Sequence, residues 1–269
     1  MFDGFFYKFP RLRKTLSILI PDKPRTIELL HRKLLISTRF EIGLLRLSWL
    51  INSSPTGHEI ASLFSLAGFL REGYTFVDVG ANVGLYAVPM ATIGEIVGFK
   101  VVAIEPNPRT VRVLRRNLQG YHCATVIEGA ASNRGGEITM GSSGIASGTF
   151  RVQKTNKREE ILPDDEVVPH IKCFRLDQLD FENTNLVFKI DVEGHETEVL
   201  ESMNGLLTKN QVKAVMIDGF DDKSIPCKLI SFGFKLFDGR SLCPFNNRDH
   251  FNLLAVHESE VRKNQGVLE

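Results

Sequence analysis

From Thr75 onward, short apolar runs alternate with segments that have helical periodicity. Residues 75–79 and 100–104 are apolar runs, and residues 85–93 between them have the spacing of a helix. Strands that are buried on both faces of a parallel sheet are apolar along their whole length, and helices connect them. The alternation therefore predicts an α/β fold in which a doubly wound, mostly parallel sheet is covered by helices on both faces.

The same pattern continues toward the C-terminus. It predicts further strands at 124–127, 186–190 and 212–217, and further helices at 108–118 and 196–207. Two more short apolar runs, residues 234–237 and 251–256, are joined by a segment that is rich in turn residues. We expect these two runs to close the sheet as an antiparallel pair.

The first part of the chain has a weaker pattern. Residues 26–38 alternate in the manner of a β-hairpin, and residues 58–70 have helical spacing. We predict three parts: an N-terminal extension or cap at 1–57, one catalytic domain at 58–258 and a short tail at 259–269.

One long segment inside the predicted domain has a different composition. Residues 141–170 are rich in Gly, Ser, Lys, Asp and Glu and contain few apolar anchors. Connections of this length are uncommon in compact domains and are often binding loops or disordered segments. We expect a mobile loop that forms part of the entrance for the substrate.

Composition excludes several classes of protein. Lys and Arg number 33 against 32 Asp and Glu, so no bulk charge attracts nucleic acid, and we expect no nucleic-acid partner. The four cysteines lie far apart without metal-ligand spacing. No apolar stretch approaches the roughly 20 residues that span a bilayer, and no signal peptide is recognisable. These features predict a cytoplasmic protein.

The N-terminal residues combine aromatic and basic side chains: Phe2, Phe5, Phe6, Tyr7, Lys8, Phe9, Arg11, Arg13 and Lys14. The simpler interpretation is an arm that packs on its own domain or on a partner subunit. The alternative is a weak contact with a membrane surface, because interfacial segments have this composition.

The junction after the first predicted strand carries the main functional signal. The strand ends in Gly80-Ala81-Asn82-Val83-Gly84, and a helical segment follows at once. Glycines in such a junction permit a tight turn and a close approach of the backbone to a ligand. The second strand ends in Glu105, where an acidic side chain can accept hydrogen bonds from both hydroxyls of a ribose. The two segments together predict a nucleotide site.

Two details of this junction separate possible cofactors. A dinucleotide requires the G-x-G-x-x-G pattern, which seats its pyrophosphate on the helix N-terminus, and this chain lacks the pattern. Asp78 lies just upstream and would repel phosphate, whereas it suits a ligand with a cationic sulfonium and an ammonium group. Two alternatives to a protein that uses such a cationic ligand remain. One is a nicotinamide-dependent oxidoreductase, and the other is a non-catalytic protein that keeps the fold as a cofactor-binding module or scaffold.

Three blocks of sequence resemble the FkbM family of class I methyltransferases. They are residues 76–86 (FVDVGANVGLY), residues 103–108 (AIEPNP) and residues 189–196 (KIDVEGHE). The resemblance implies a Rossmann-like sheet, S-adenosylmethionine as the cofactor, and O-methylation of a hydroxyl on a sugar, glycolipid or natural product. We expect the cofactor to be bound by Asp78, Gly80, Asn82, Gly84, Glu105, Pro106, Asn107 and Ala130.

The third block supplies the candidates for the reaction centre. In a doubly wound sheet the ligand lies beyond the carboxyl ends of the strands, where Asp191, Glu193 and His195 follow the fourth strand. Methyl transfer to a hydroxyl requires alignment and removal of a proton. We favour His195 as the base, with Asp191 or Glu193 positioning the imidazole and the acceptor hydroxyl. Both acids would face one side if the strand continued past Ile190, whereas a turn at Gly194 would bring His195 back over them. The alternative role for His195 is that of a helix-start residue that holds a backbone or carboxylate partner.

Lys189 lies on a strand that should be buried, so it requires a partner, which Asp191 or Asp218 could supply. We expect it to position other groups and not to act as a base. The same acids could hold Mg²⁺, but the sequence contains no fuller ligand cluster, and we predict no metal.

Overall fold

A computed structural model of the chain describes residues 21–29, 32–38, 55–142, 150–152, 166–245 and 252–261. Its strands are β1 (Pro24–Leu29), β2 (Arg32–Ser37), β3 (Thr75–Val79), β4 (Lys100–Glu105), β5 (Ala124–Glu128), β6 (Ala130–Ala131), β7 (Gly136–Ser142), β8 (Phe150–Val152), β9 (Glu166–Phe174), β10 (Leu186–Ile190), β11 (Val212–Ile217), β12 (Phe234–Asp238) and β13 (Leu253–His257). Its helices are α1 (Pro55–Ala67), α2 (Ala87–Val97), α3 (Pro108–Asn117), α4 (Glu196–Ser202), α5 (Asn204–Thr208), α6 (Ser224–Ser231) and α7 (Glu258–Val261).

The main sheet has seven strands in the order β12-β13-β11-β10-β3-β4-β5. Strands β11, β10, β3, β4 and β5 pair in parallel, and β13 pairs antiparallel with both β11 and β12. This order confirms the predicted α/β fold and its antiparallel finish. Because parallel strands end at the same edge, the carboxyl ends of β3, β4, β10 and β11 meet there.

Local sequence explains the connection between β4 and β5. Asn107 caps α3, since its Oδ1 accepts the N–H of Arg109 at 3.0 Å, and Pro108 occupies the first helical turn. The apolar side of the helix is buried in the core. The predicted helix at 108–118 is therefore confirmed to within one residue.

The helix predicted at 196–207 is interrupted, which corrects that prediction. The chain bends at Met203 between α4 and α5. At the end of α4 the hydroxyl of Ser202 donates to the carbonyl of Val199 at 2.6 Å, a local bond that competes with helix continuation. At the start of α5 the Asp177 carboxylate accepts the N–H of Gly205 at 3.2 Å. Side-chain bonds on both sides of the bend thus replace the continuous helix.

Parts of the segment predicted as a loop at 141–170 are strands, which corrects the prediction for residues 141–142, 150–152 and 166–170. A second sheet has the order β6-β9-β7-β8. Its buried face carries Ile138, Met140, Ile171 and Cys173, which alternate with polar residues along β7 and β9. That two-residue period is typical of a sheet with one solvent-facing side. Residues 143–149 and 153–165 lie outside the described residues, so the predicted mobility stays a prediction.

The N-terminal hairpin of β1 and β2 confirms the pairing predicted at 26–38. It packs on the main domain through the buried side chains of Ile27, Leu34 and Ile36. Asn117 at the end of α3 also binds β2, because its amide group accepts from the N–H of Leu35 at 2.7 Å and donates to the Leu35 carbonyl at 2.9 Å. The aromatic and basic segment at 1–14 lies outside the described residues. The division of the chain at 57 and 258 stays a prediction.

Candidate active site

A crevice lies at the carboxyl edge of the main sheet, between that edge and the second sheet. Its walls are formed by Val79, Gly80, Asn82, Ile104, Glu105, Pro106, Gly129, Ala130, Ala131, Met140, Val152, Asp191, Val192, Glu193 and His195. The crevice brings together eight of the residues predicted for the site: Gly80, Asn82, Glu105, Pro106, Ala130, Asp191, Glu193 and His195. The other four, Asp78, Gly84, Asn107 and Lys189, lie behind these walls.

Gly80 makes the tight turn at the end of β3. Its φ of 82° lies in the left-handed region, and its N–H donates to the carbonyl of Ile104 at 2.9 Å. A Cβ at this position would lie 1.8 Å from the carbonyl oxygen of Asp191. The turn therefore brings the ends of β3, β4 and β10 together, which only a residue without a side chain permits.

Gly84, the second glycine of the motif, has a different role. Its φ is 101°, and a Cβ there would lie 3.1 Å from both Leu114 of α3 and Val88 of α2. Gly84 therefore allows the two helices to approach each other, and it does not line the crevice itself.

Glu105 at the end of β4 is held by the backbone on both sides. Oε2 accepts the N–H of Asn82 at 2.9 Å, and Oε1 accepts the N–H of Asn107 at 2.9 Å. Each carboxylate oxygen can accept a further hydrogen bond, and the side chain lines the crevice while only 7% exposed. Burial raises the pKa of Glu105 to about 7, although the two backbone donors oppose the rise. The geometry suits a ligand with two neighbouring hydroxyls.

Asp78 is buried one layer deeper, on β3. Its pKa is raised to about 7, chiefly by burial, while the nearby Lys189 ammonium lowers it. Among the described residues its Oδ2 has no hydrogen-bond partner, and the same is true of Nδ2 of Asn107. Both atoms adjoin the residues that form the crevice, so an unused acceptor and an unused donor lie beside the place where a ligand would bind.

Lys189 on β10 supplies a buried positive charge. Its Nζ lies 3.5 Å from Oδ2 of Asp191 and 3.7 Å from Oδ2 of Asp218, and its side chain is 1% exposed. The ammonium also lies 5.1 Å from the ring centroid of Tyr86, within the range of a cation–π contact. Both partners that the sequence suggested for Lys189 are therefore close to it, and Tyr86 is a contact that no sequence pattern indicated.

The residues after β10 turn sharply. The strand ends at Ile190, Glu193 has a φ of 53° and Gly194 a φ of 97°. Of the two possibilities that the sequence left open, the chain therefore adopts the turn at Gly194 and not a strand that continues past Ile190. The turn is held by Glu196, whose Oε1 accepts the N–H of Gly194 at 2.8 Å.

His195 lies at the start of α4 with its imidazole buried against the second sheet. Nε2 lies 3.0 Å from Oγ of Ser132, and Nδ1 lies 3.5 Å from Oε2 of Glu198. Ser132 is separated from His195 by 63 residues in sequence and belongs to no recognisable motif. Sequence reasoning therefore missed it.

The charges around the crevice are mostly negative. Glu105, Asp191 and Glu193 line it, and Asp78 and Asp218 lie just behind, whereas Lys189 is the buried cation among them. Such a site attracts a cationic ligand and repels phosphate. In the part of the chain that the structure describes, no group of three or more His, Cys, Asp or Glu side chains is arranged to hold a metal ion.

Comparison with known proteins identifies the family. Residues 78–226, more than half of the chain, match the Methyltransferase FkbM domain. The chain belongs to the FkbM methyltransferase family. The match contains the glycine turn, Glu105, the Lys189–Glu196 block and Asp218. All the residues that form the walls of the crevice are therefore part of the family domain.

Individual relatives cover parts of this FkbM chain. The hexuronic acid methyltransferase AglP of Haloferax volcanii is 32% identical over 164 residues, which are 57% of this chain and 60% of that protein. The chain therefore matches less than two thirds of the length of this relative.

Two solved structures are similar at lower identity. The FkbM methyltransferase of Methylobacillus flagellatus KT has a TM-score of 0.47 and 15% identity, covering 73% of this chain and 47% of that one. A TehB-like S-adenosylmethionine-dependent methyltransferase of Corynebacterium glutamicum has a TM-score of 0.44 and 11% identity, covering 80% and 95%. Within the described residues, no helix combines the length and apolar character that crossing a membrane requires.

Proposed function

We propose that this protein binds S-adenosylmethionine in the crevice and transfers its methyl group to a hydroxyl oxygen of a carbohydrate. The observation that carries the proposal is Glu105, a buried carboxylate whose two oxygens are each fixed by one backbone N–H and still open to a second donor. A ribose diol supplies two such donors at adjacent carbons. Membership of the FkbM family supports the same cofactor.

The residues present fit this cofactor in charge as well as in shape. A sulfonium and an ammonium group are both positive. The crevice is lined by Glu105, Asp191 and Glu193, and these carboxylates outnumber the positive charge of the buried Lys189 beside them. Gly80 lines the crevice, and its tight turn brings the end of β3 against the Asp191 carbonyl. The acidic surroundings disfavour the pyrophosphate of NAD, so an oxidoreductase is the weaker candidate.

The reaction is a displacement at the methyl carbon. The acceptor oxygen forms a bond to that carbon while the carbon–sulfur bond breaks, and the bonding electron pair remains on sulfur. The acceptor proton must pass to a base at the carboxyl edge of the sheet, where Asp191, Glu193 and His195 line the crevice. The protein's own contribution is to align the two reactants and to accept this proton.

The similarity to a hexuronic acid methyltransferase supports a sugar as the acceptor. A hexuronic acid presents several hydroxyl groups and one carboxylate group. Methylation of a hydroxyl yields an ether and releases a proton, whereas methylation of a carboxylate yields an ester and releases none. Because a base would be redundant in the second case, the acidic edge of the crevice favours the hydroxyl.

Calorimetry tests the cofactor assignment. S-adenosylmethionine and S-adenosylhomocysteine should bind with micromolar affinity, and NAD should not bind at the same concentrations. Tighter binding of NAD would contradict the proposal and support an oxidoreductase.

A transfer assay tests the reaction. The protein is incubated with methyl-labelled S-adenosylmethionine and a panel of hexuronic acid glycosides and neutral hexosides, and the products are treated with mild alkali. We expect an alkali-stable label, as an ether gives. A label that alkali removes would assign the carboxylate as acceptor, and binding without transfer to any acceptor would support a non-catalytic module.

A further inference from the structure

The imidazole of His195 has a polar side chain beside each of its nitrogens. Nε2 lies 3.0 Å from the Ser132 hydroxyl, and Nδ1 lies 3.5 Å from the Glu198 carboxylate. A carboxylate only accepts hydrogen bonds, so Glu198 favours the tautomer with its proton on Nδ1. The lone pair of that tautomer is on Nε2, which faces Ser132. Ser132 is 2% exposed, so the basic nitrogen faces a buried hydroxyl, although the ring itself lines the crevice.

The segment that carries Ser132 is anchored independently of His195. The N–H of Ser132 donates to the carbonyl of Phe174 at 2.8 Å, and Nδ2 of Asn133 donates to Oε2 of Glu201 at 2.8 Å. Arg175 adds a bond to the carbonyl of Asn133 at 2.8 Å. The second sheet and α4 are thus joined by a series of polar contacts, and the bond from Ser132 to His195 is the one nearest the crevice.

Asp191 has the opposite arrangement. It lines the crevice, its side chain is 44% exposed, and its Oδ2 faces the Lys189 ammonium. Burial raises the pKa of Asp191 and the Asp218 carboxylate adds to the rise, while the Lys189 ammonium opposes it. A carboxylate that is open to the crevice and held by a fixed cation can receive a proton from a bound hydroxyl.

We propose that Asp191 accepts the acceptor's proton, and that Ser132 and Glu198 hold His195 as a positioning residue for the turn from Asp191 to α4. In the displacement the proton moves from the acceptor oxygen to the Asp191 carboxylate, which later returns it to water. The contacts among Ser132, His195 and Glu198 are unchanged throughout. This assignment rests on the proposed function, and it reverses the prediction from sequence that His195 is the base.

The first test compares the two candidates in transfer assays on hexuronic acid glycosides and neutral hexosides. His195→Gln places an amide near the position of Nε2, so it can keep the bond to Ser132 but accepts no proton. We expect Asp191→Asn to lower turnover about 100-fold to 10,000-fold. His195→Gln should stay within about tenfold of the unmodified protein and keep its pH profile, whereas His195→Ala should lose more because Ser132 and Glu198 lose their partner.

The pH dependence of turnover distinguishes a base from a positioning residue, because replacing a residue with only a structural role lowers turnover without shifting this pH dependence. The charged groups near His195 are Glu198 on α4, Glu196 beside it, and Asp191 and Glu193 in the preceding turn. If His195→Gln abolished the fall in turnover at low pH and lost as much turnover as Asp191→Asn, His195 would be the base and the proposal would be overturned.

A second test is independent of any acceptor. ¹⁵N NMR of histidine-labelled protein reports the tautomer of His195, whose signals are assigned by their loss in His195→Gln. We expect one tautomer with the proton on Nδ1, and a change of that population in Ser132→Ala. A proton on Nε2, or spectra identical with and without the Ser132 hydroxyl, would contradict the arrangement. Calorimetry with S-adenosylhomocysteine separates the two failures, since loss of cofactor binding in the unmodified protein would contradict only the proposed function.

Discussion

The two sides of the crevice are built in different ways. On the side proposed to hold the cofactor, Gly80 follows β3 and Glu105 ends β4. The N–H of Gly80 donates to Ile104, 24 residues away, and the Glu105 carboxylate accepts the N–H groups of Asn82 and Asn107, 23 and 2 residues away. On the acceptor side, His195 is held by Ser132 across 63 residues, and the walls Met140 and Val152 come from a second sheet. The first side depends on local sequence, and the second depends on how two sheets pack.

This difference suggests how such a protein keeps its cofactor while its acceptor changes. The βαβ unit holds Glu105 and Gly80 by backbone bonds that few side chains can alter. The second sheet can exchange Met140 or Val152 without disturbing those bonds. We therefore expect substitutions on the two sides to separate effects on cofactor binding from effects on the acceptor.

The largest expected effect is at the turn that joins the two sides. Gly80→Ala places a Cβ against the Asp191 carbonyl, so we expect a loss of about 4 kcal/mol or more in unfolding free energy. Gly73 has nearly the same φ, 77°, but nothing lies within 4 Å of its Cβ position. Gly73→Ala is thus the matched control and should cost only about 1–2 kcal/mol. Equal losses in urea unfolding would show that backbone strain, and not the contact with Asp191, requires glycine at position 80.

A smaller effect is expected for Glu105→Ala. The change removes the ribose acceptor and leaves the buried N–H groups of Asn82 and Asn107 without their partner. We expect S-adenosylhomocysteine affinity to fall about 10-fold to 100-fold, with a loss of about 1–3 kcal/mol in stability for an unpaired donor. Calorimetry and urea unfolding measure the two losses. Unchanged affinity in the folded variant would remove the ribose assignment.

We expect a moderate effect of pH on the stability of the protein and on its affinity for S-adenosylmethionine. Buried Asp78 and Glu105 both have a pKa of about 7, above their usual values. Folding therefore favours their protonated forms, and the stability of the free protein should fall as the pH rises from about 4 to about 7. A cationic ligand favours the ionised forms, so S-adenosylmethionine should bind about threefold to tenfold more tightly at pH 8 than at pH 6.

The neutral thioether of S-adenosylhomocysteine serves as the control for this titration. It lacks the sulfonium charge, so its affinity should change less over the same pH range. If both ligands showed the same dependence, the carboxylates would not be responding to the sulfonium.

The smallest effect is expected at the wall of the second sheet. Met140→Ala removes apolar surface from the crevice but leaves the backbone bonds of Gly80 and Glu105 intact. We expect the KM for the acceptor to rise a few-fold and S-adenosylhomocysteine affinity to stay the same. A selective loss of cofactor affinity would instead place Met140 against the cofactor.

The sequence predicted the main sheet closely because its signals are local. Strands β3, β10 and β11 begin and end where their apolar runs do, since buried parallel strands leave little room for polar residues. The proposed cofactor residues follow from one glycine turn and one acid at the end of the next strand, both of which line the crevice. Neither inference needed to know which distant segments are neighbours.

The second sheet and the partner of His195 could not be predicted in this way. Strands β7 and β9 mix apolar residues with Gly, Ser, Pro and charged residues, so neither forms the continuous apolar run that marks a strand of the main sheet. Ser132 has no pattern of its own, and its role depends on the pairing of β6 with β9, which brings it beside α4. Such contacts are properties of the packed fold and not of a motif.

The most direct test of the account is a comparison of Glu105→Gln with Asp191→Asn. S-adenosylhomocysteine affinity and methyl transfer at saturating S-adenosylmethionine are measured for both variants. We expect Glu105→Gln to bind the cofactor about tenfold or more weakly yet to regain transfer at high cofactor concentration, whereas Asp191→Asn should bind normally and transfer little. If Glu105→Gln bound the cofactor as tightly as the unmodified protein, or if Asp191→Asn lost binding and transfer together, the separation of the two sides would be contradicted.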